Sequence, residues 1–338
     1  EILIPLETWN EIDLSLWIKS QNWNETEITQ ECCEAIEKLK LSPKAISKDK
    51  KLEGKSLKEF LISEILGNAL SWKCKNGSIE NFSWYLKNIV NINSGNETPF
   101  FIACQAGHIE IVKLLLNDER VDINKENHDG FTPINIICYF GHVEIVKLLL
   151  NDKRVHINKA QNQGATPFHM ACRIGHIEIV KLLLNDNRID SNKTNNDSVT
   201  PFYIACQHGH IEIVKLLLND QRIDINRATN EGTTPFCIAC LKGNIEIVKL
   251  LQNDQRVDIN KVMNEGVTPL LSACLQGHTE IVKLLLNDQR VDINKSSKDG
   301  LTPFNMACQQ GHIEVVNLLL NDQRVDINKP LNNGITPF

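Results

Sequence analysis

A Thr-Pro pair recurs eight times in this chain at a fixed interval of 34 residues: Thr98-Pro99, Thr132-Pro133, Thr166-Pro167, Thr200-Pro201, Thr234-Pro235, Thr268-Pro269, Thr302-Pro303 and Thr336-Pro337. A strict period of that length restricts the fold to a stack of equivalent small units, each too small to bury its own apolar face. The unit opening at Thr132 shows what is repeated. Its hydroxyl suits a helix N-cap, and Pro133 suits the first helical position, where a missing N–H costs little. Residues 134–140 read as a short helix, ended by Gly141. Residues 142–150 read as a second helix, polar only along Glu144 and Lys147, with Asn151 one turn on. Val155-His156-Ile157-Asn158 alternates like a brief extended segment, and Gln161-Asn162-Gln163-Gly164 turns the chain back toward Thr166.

Bulk properties narrow the function class. The net charge is −6 in a mixed-sign sequence without a basic stripe, so nucleic acid is not expected as the main ligand. No apolar run approaches the ~18–20 residues of a membrane-spanning helix, so no membrane insertion is expected. The start, Glu1-Ile2-Leu3-Ile4-Pro5, has no secretory pattern. The first residue is not Met and the chain stops as another unit opens, so a longer parent is expected. On that expectation Leu318, Leu319 and Leu320 lack a full neighbour. Of eleven cysteines, seven keep the period: Cys104, Cys138, Cys172, Cys206, Cys240, Cys274 and Cys308. Equivalent helices in adjacent units lie about 8–10 Å apart, and a disulfide needs Cα atoms within about 7 Å. The cysteines are therefore expected to be buried, reduced thiols in a cytoplasmic protein.

The motif Gly-x-Thr-Pro, a helix, Gly-His-Ile-Glu-Ile-Val-Lys-Leu-Leu-Leu and then Val-Asp-Ile-Asn resembles the ankyrin repeat. The resemblance implies an all-α solenoid of helix-turn-helix repeats with short hairpin fingers. It covers residues 98–338, with seven full copies and a truncated eighth. Several departures stand out. The family's Thr-Pro-Leu-His keeps its histidine only at His169, with Phe101, Asn135, Tyr203, Cys237, Leu271 and Asn305 elsewhere, so a hydrogen bond common in the family is expected to be missing there. The usual period is about 33, one residue shorter than here. Asn96 and Ser198 stand where the turn glycine belongs, a left-handed position that asparagine accepts more readily than serine.

Cys74-Lys75-Asn76-Gly77-Ser78-Ile79-Glu80 reproduces the Cys-x-x-Gly-x-Ile-Glu of Cys104 to Glu110, with Trp72, Phe82, Trp84 and Tyr85 replacing aliphatics. Residues 64–97 are thus expected to form a divergent N-terminal capping repeat, and residues 98–338 the array. Residues 1–63 are expected to be a small helical region of unknown type. There Trp9, Asp13 and Trp17, with Leu52 to Leu57, faintly resemble a sterile alpha motif domain. That family also needs a long final helix, in a stretch the capping repeat claims.

The recurring polar residues have bland readings beside chemical ones. His108, His142, His176, His210, His278 and His312 form a ladder too widely spaced to share a zinc with bonds near 2 Å, so bridging to an adjacent unit is expected. Glu110 and its counterparts suit a helix N-terminus. Arg120, Arg154, Arg188, Arg222, Arg256, Arg290 and Arg324 are expected to pair with the aspartate two residues earlier. Cys32-Cys33 is too isolated for a zinc site. No nucleotide-binding glycine loop, nucleophile elbow or zincin motif occurs, and neither cofactor nor catalysis is expected. Asn124, Asn158 and Asn192 end the finger segment and are expected to stabilise its turn. In the family the resemblance points to, such asparagines can be substrates of asparaginyl hydroxylases.

The copies differ mainly beside the turn glycine, early in the first helix and just before Gly-His. In the ankyrin family those places line the groove and finger tips. A protein-binding scaffold of unknown partner is therefore expected. The alternative is a targeting module of a larger signalling or enzymatic protein. The exposed aromatic and arginine positions single out Phe131, Tyr139, Phe140, Arg173 and Ile174 as partner-binding residues. A competing reading folds Phe140 back onto its own helix pair.

Overall fold

The computed structural model describes residues 57–89 and 91–336, with side chains from residue 66 onward. The expectations for residues 1–56, including Cys32-Cys33 and the sterile alpha motif resemblance, lie outside the described residues, as do Pro337 and Phe338. Sixteen helices and no strands occur among the described residues. They fall into two compact units, divided between His156 and Ile157.

The first unit holds α1 (Leu57–Asn76), α2 (Phe82–Asn88), α3 (Pro99–Ala106), α4 (Ile109–Leu116), α5 (Pro133–Phe140) and α6 (Val143–Leu150). The second holds α7 (Pro167–Ile174), α8 (Ile177–Leu184), α9 (Pro201–His208), α10 (Ile211–Leu218), α11 (Pro235–Lys242), α12 (Ile245–Gln252), α13 (Pro269–Leu275), α14 (Thr279–Leu286), α15 (Pro303–Gln310) and α16 (Ile313–Leu320). Each threonine before a helical proline caps the helix as its sequence suggests. Thr98, Thr200, Thr234 and Thr268 each accept the backbone N–H three residues on at 3.1 Å. The following glycines take φ between 69° and 97°, which ends the first helices at no steric cost.

First helices pack on first helices and second on second: α1, α3 and α5, and α4 with α6, in one unit; α7 to α15 and α8 to α16, each in alternate order, in the other. The core is the repeating triad of the second helices, such as Ile213, Val214 and Leu217, against the Ala-Cys pair of the first, such as Ala205 and Cys206, all buried. Each large aliphatic contributes about 1.5–3 kcal/mol by leaving water. α1 is far longer than the other first helices and runs unbroken across residue 64. Its Lys73 is buried, with Nζ donating to Glu80 O at 2.8 Å and lying 5.2 Å from the Tyr85 ring centroid. The aromatics Phe82 and Tyr85 fill the space that smaller aliphatics occupy elsewhere.

Four expectations need correction. The Val-x-Ile-Asn segment does alternate, with Val121 and Ile123 buried and Asp122 exposed, but it forms turns rather than a strand. Its polar groups are satisfied by side chains of neighbouring repeats, which leaves no ladder to build. Asn96 is not left-handed; Gly95 takes that conformation one residue earlier (φ 88°), and Asn96 instead accepts from His128 N at 2.6 Å. Ser198 does sit at φ 61°. Leu319 does not lack cover, being fully buried, whereas Leu320 is exposed.

The fourth concerns the cysteine ladder. Cys104, Cys138, Cys172, Cys206, Cys240 and Cys274 are free and buried, and burial pushes the thiols of Cys104, Cys138, Cys206, Cys240 and Cys274 well above the usual range. Cys308 is only partly covered, and its thiol is pushed up less. A thiol reagent under native conditions is expected to label Cys308 first and Cys172 and Cys206 only on the timescale of unfolding. Labelling of all three at one rate would show that the ladder is not protected.

Candidate partner-binding surface

Most polar residues that recur with the period are spent on joining repeats. In the first unit His142 donates from Nε2 to Gln105 O at 3.0 Å; in the second, His210, His278 and His312 donate likewise to Arg173 O, Leu241 O and Leu275 O at 2.9, 3.1 and 3.1 Å. The ring lies against the glycine ending the preceding first helix: a Cβ on Gly243 would stand 2.7 Å from His278 Cε1. Asn244, the break in the ladder, fills the same post by donating to Cys206 O at 2.7 Å. The bridging expected for these histidines is therefore what they do.

The asparagines do more than stabilise their own turn. Asn192 donates to Arg222 O at 2.6 Å and accepts from Asp224 N at 2.8 Å, and Asn226 repeats this with Arg256 O and Asp258 N at 2.6 and 3.0 Å. Both ends of each amide thus reach the next repeat. Asn124 does the same toward Arg154 O and His156 N, both at 2.8 Å, and Asn158 toward Arg188 O and Asp190 N at 2.6 and 2.9 Å.

Each arginine pairs with its aspartate as expected, for example Arg222 with Asp220 at 2.6 Å, which holds that carboxyl below the usual range. In the second unit Arg222 and Arg256 also donate backward to the end of the preceding second helix, to Leu184 O at 2.8 Å and Leu218 O at 2.7 Å. That bond caps orphan carbonyls.

The slot of His169 is also fuller than expected. His169 Nδ1 accepts from Thr166 N at 3.1 Å, and Nε2 donates to Val199 O at 3.0 Å. Burial pushes its pKa down to about 4, so the ring is neutral. Asn135 and Asn305 restore the local half of this bond by accepting from Thr132 N and Thr302 N at 2.9 and 3.2 Å. Phe101 and Leu271 leave only the threonine cap, whereas Cys237 Sγ also contacts Ser272 Oγ at 3.5 Å.

Large exposed side chains lie at the ends of the first helices. In the first unit Tyr139 and Phe140 are 41% and 46% exposed, and their rings meet edge-on at 5.2 Å. Phe140 also stacks over His142 at 6.1 Å. It therefore leans on its own repeat while keeping nearly half its surface in solvent. Phe131 is half-buried at the finger base, where its N–H donates to Asn127 Oδ1 at 2.9 Å. In the second unit Arg173 and Ile174 end α7, both exposed.

The family model described as ankyrin repeats in three copies matches overlapping stretches of the chain at residues 47–127, 69–161, 119–195, 187–263 and 238–333. The chain belongs to the ankyrin repeat family. No curated protein matches it. Ankyrin repeats are in general protein–protein interaction modules. No helix among the described residues of this ankyrin protein is long and apolar enough to cross a membrane.

Sequence reasoning did not single out His208 and Lys242. In the ankyrin array they occupy the column of Phe140 and Ile174, and His208 stacks over His210 at 6.1 Å as Phe140 does over His142. The signal was the register itself: the residue just before the helix-ending glycine faces outward, and at Phe140 and His208 its ring lies over the following histidine.

Proposed function

We propose that this ankyrin array is a protein-binding scaffold that contacts its partner through first-helix ends and finger bases. In the first unit the contact residues are Phe131, Tyr139 and Phe140; in the second they are Arg173 and Ile174. The exposed, edge-on Tyr139–Phe140 pair carries this reading. Its column needs no aromatic for stacking, since the preceding repeat fills it with Gln105 and Ala106. Large aromatics presented by a rigid element are the side chains that dominate interface energies. Buried, reduced thiols favour a cytoplasmic setting for such a scaffold.

A partner cross-linked to the full chain should lose about 1–3 kcal/mol of binding on Tyr139→Ala and on Phe140→Ala, with the melting curve nearly unchanged. Normal binding by both variants, or unfolding by either, would remove these residues from the site. Asparaginyl hydroxylation at Asn124, Asn158 and Asn192 belongs to the same reading as a modification of the finger bases. Because both amide ends there are hydrogen-bonded, a hydroxylase is expected to act faster on mildly denatured than on native protein, as followed by mass spectrometry.

A further inference from the structure

Read linearly, the sequence has no basic stripe, yet the second unit assembles a basic surface from residues far apart in the chain. Arg173 lies in the last turn of α7, His208 ends α9 and Lys242 ends α11. These three helices pack in that order. The His210 ring ties the cluster together, donating to Arg173 O at 2.9 Å while His208 stacks on it at 6.1 Å and 23°. Lys242 takes the column of His208 one repeat later. The charged and titratable groups facing His208 are His210, Arg173 from α7 and Lys242 from α11. All are basic, and after burial they hold its pKa below the usual histidine value.

The neighbouring cations are compensated. Arg188, Arg222 and Arg256 each hold an aspartate, and Lys181, Lys215 and Lys249 each hold a glutamate. Among the described residues no ion pair reaches Arg173 or Lys242, and Arg173, His208 and Lys242 are all exposed. Ile174, 39% exposed, and the half-buried Leu241 lie beside them. The surface thus joins a short run of uncompensated positive charge to apolar positions, which suits a peptide better than a phosphate backbone.

We propose that this face of the second unit binds an acidic, partly apolar segment of a partner protein, with carboxylates on Arg173, His208 and Lys242, an apolar side chain on Ile174, and His208 taking a proton from solvent on binding. The assignment rests on the protein-binding function above and names the chemistry of the partner. A carboxylate beside His208 offsets the repulsion of its basic neighbours, so binding and protonation favour each other.

The test uses the full chain and a fluorescent peptide of alternating Glu and Leu, with Gln/Leu and Lys/Leu peptides of equal length as controls. The Glu peptide should bind about tenfold or more tightly than the Gln peptide at low salt, and less so at high salt. Its affinity should rise severalfold from about pH 8 to about pH 6, and His208→Gln should flatten that rise. Arg173→Ala and Lys242→Ala should each weaken binding severalfold without moving the melting curve. Equal binding of the Glu and Gln peptides, or an undiminished pH response in His208→Gln, would overturn the proposal. So would preferential binding of an oligodeoxythymidylate or of phosphatidylserine vesicles. A partner lost with Tyr139→Ala but retained by the triple variant Arg173→Ala, His208→Gln, Lys242→Ala would overturn this assignment and leave the scaffold function standing.

Discussion

Acidification from about pH 7 to about pH 4 is expected to destabilise the repeat around His169 by about 3 kcal/mol. In the folded chain burial holds this imidazole neutral down to about pH 4, whereas the unfolded chain takes the proton near 6.5. Between those values the unfolded state binds the extra proton. The stabilisation is therefore complete above pH 6.5 and is lost as pH falls toward 4. The neutral ring is tied into the fold at both nitrogens, to Thr166 N and to Val199 O. His169→Asn should keep the threonine-side bond, since Asn135 and Asn305 make it in their own repeats. It should also remove the pH slope. Hydrogen exchange at the Met170 amide, which donates to Thr166 O, reads the effect locally in both proteins. A slope that survives the substitution would assign the acid sensitivity elsewhere.

Gly243→Ala is expected to cost about 3 kcal/mol, and Gly209→Ala about 1–2 kcal/mol. Both glycines have nearly the same left-handed φ, 75° and 78°, so the backbone penalty of an added Cβ is shared. Their neighbours differ. At Gly243 the Cβ meets His278 Cε1 at 2.7 Å and must displace a ring that bridges to Leu241 O; at Gly209 its nearest neighbour is Asn244 Oδ1 at 3.1 Å. Adding His278→Ala to Gly243→Ala should recover the part of the cost that comes from the collision. Chemical denaturation of the four proteins measures the coupling. Equal costs at the two glycines would mean that the histidine moves aside freely.

Much of what lies inside one repeat was legible because it depends on neighbours in sequence: the Thr-Pro caps, the glycine stops, the apolar triad of the second helix and the Asp–Arg pair. What spans repeats was read less well. Asn192 looks like a turn residue in its own segment and shows its role only when Arg222 O and Asp224 N arrive from the next repeat. The backward bond from Arg222 to Leu184 O has the same origin. The period states that neighbours exist, but not the offset at which they meet. Asn96 failed for a local reason: a glycine one residue earlier can take the left-handed turn, and the motif alignment could not see the shift. The candidate surface was half legible. Exposure of Tyr139, Phe140, Arg173 and Ile174 follows from the register, whereas the charge shared by Arg173, His208 and Lys242 arises only once α7, α9 and α11 are side by side.

The inter-repeat bonds also bear on how such a chain can change its length. The recurring bridges of the second unit, such as those from His210, Asn192 and Arg222, run between fixed positions of consecutive copies, so copies that keep these residues can follow one another. Excising residues 211–244 as a block would rejoin His210 to Ile245 with the same partners offered on both sides, as would inserting a duplicate of that block. Loss of a single residue in the same stretch would shift every donor past its acceptor. Recombination in whole modules is thus nearly silent for stability, while it changes which exposed side chains stand next to one another. An array built this way can acquire a new ligand by reshuffling copies faster than by point substitution.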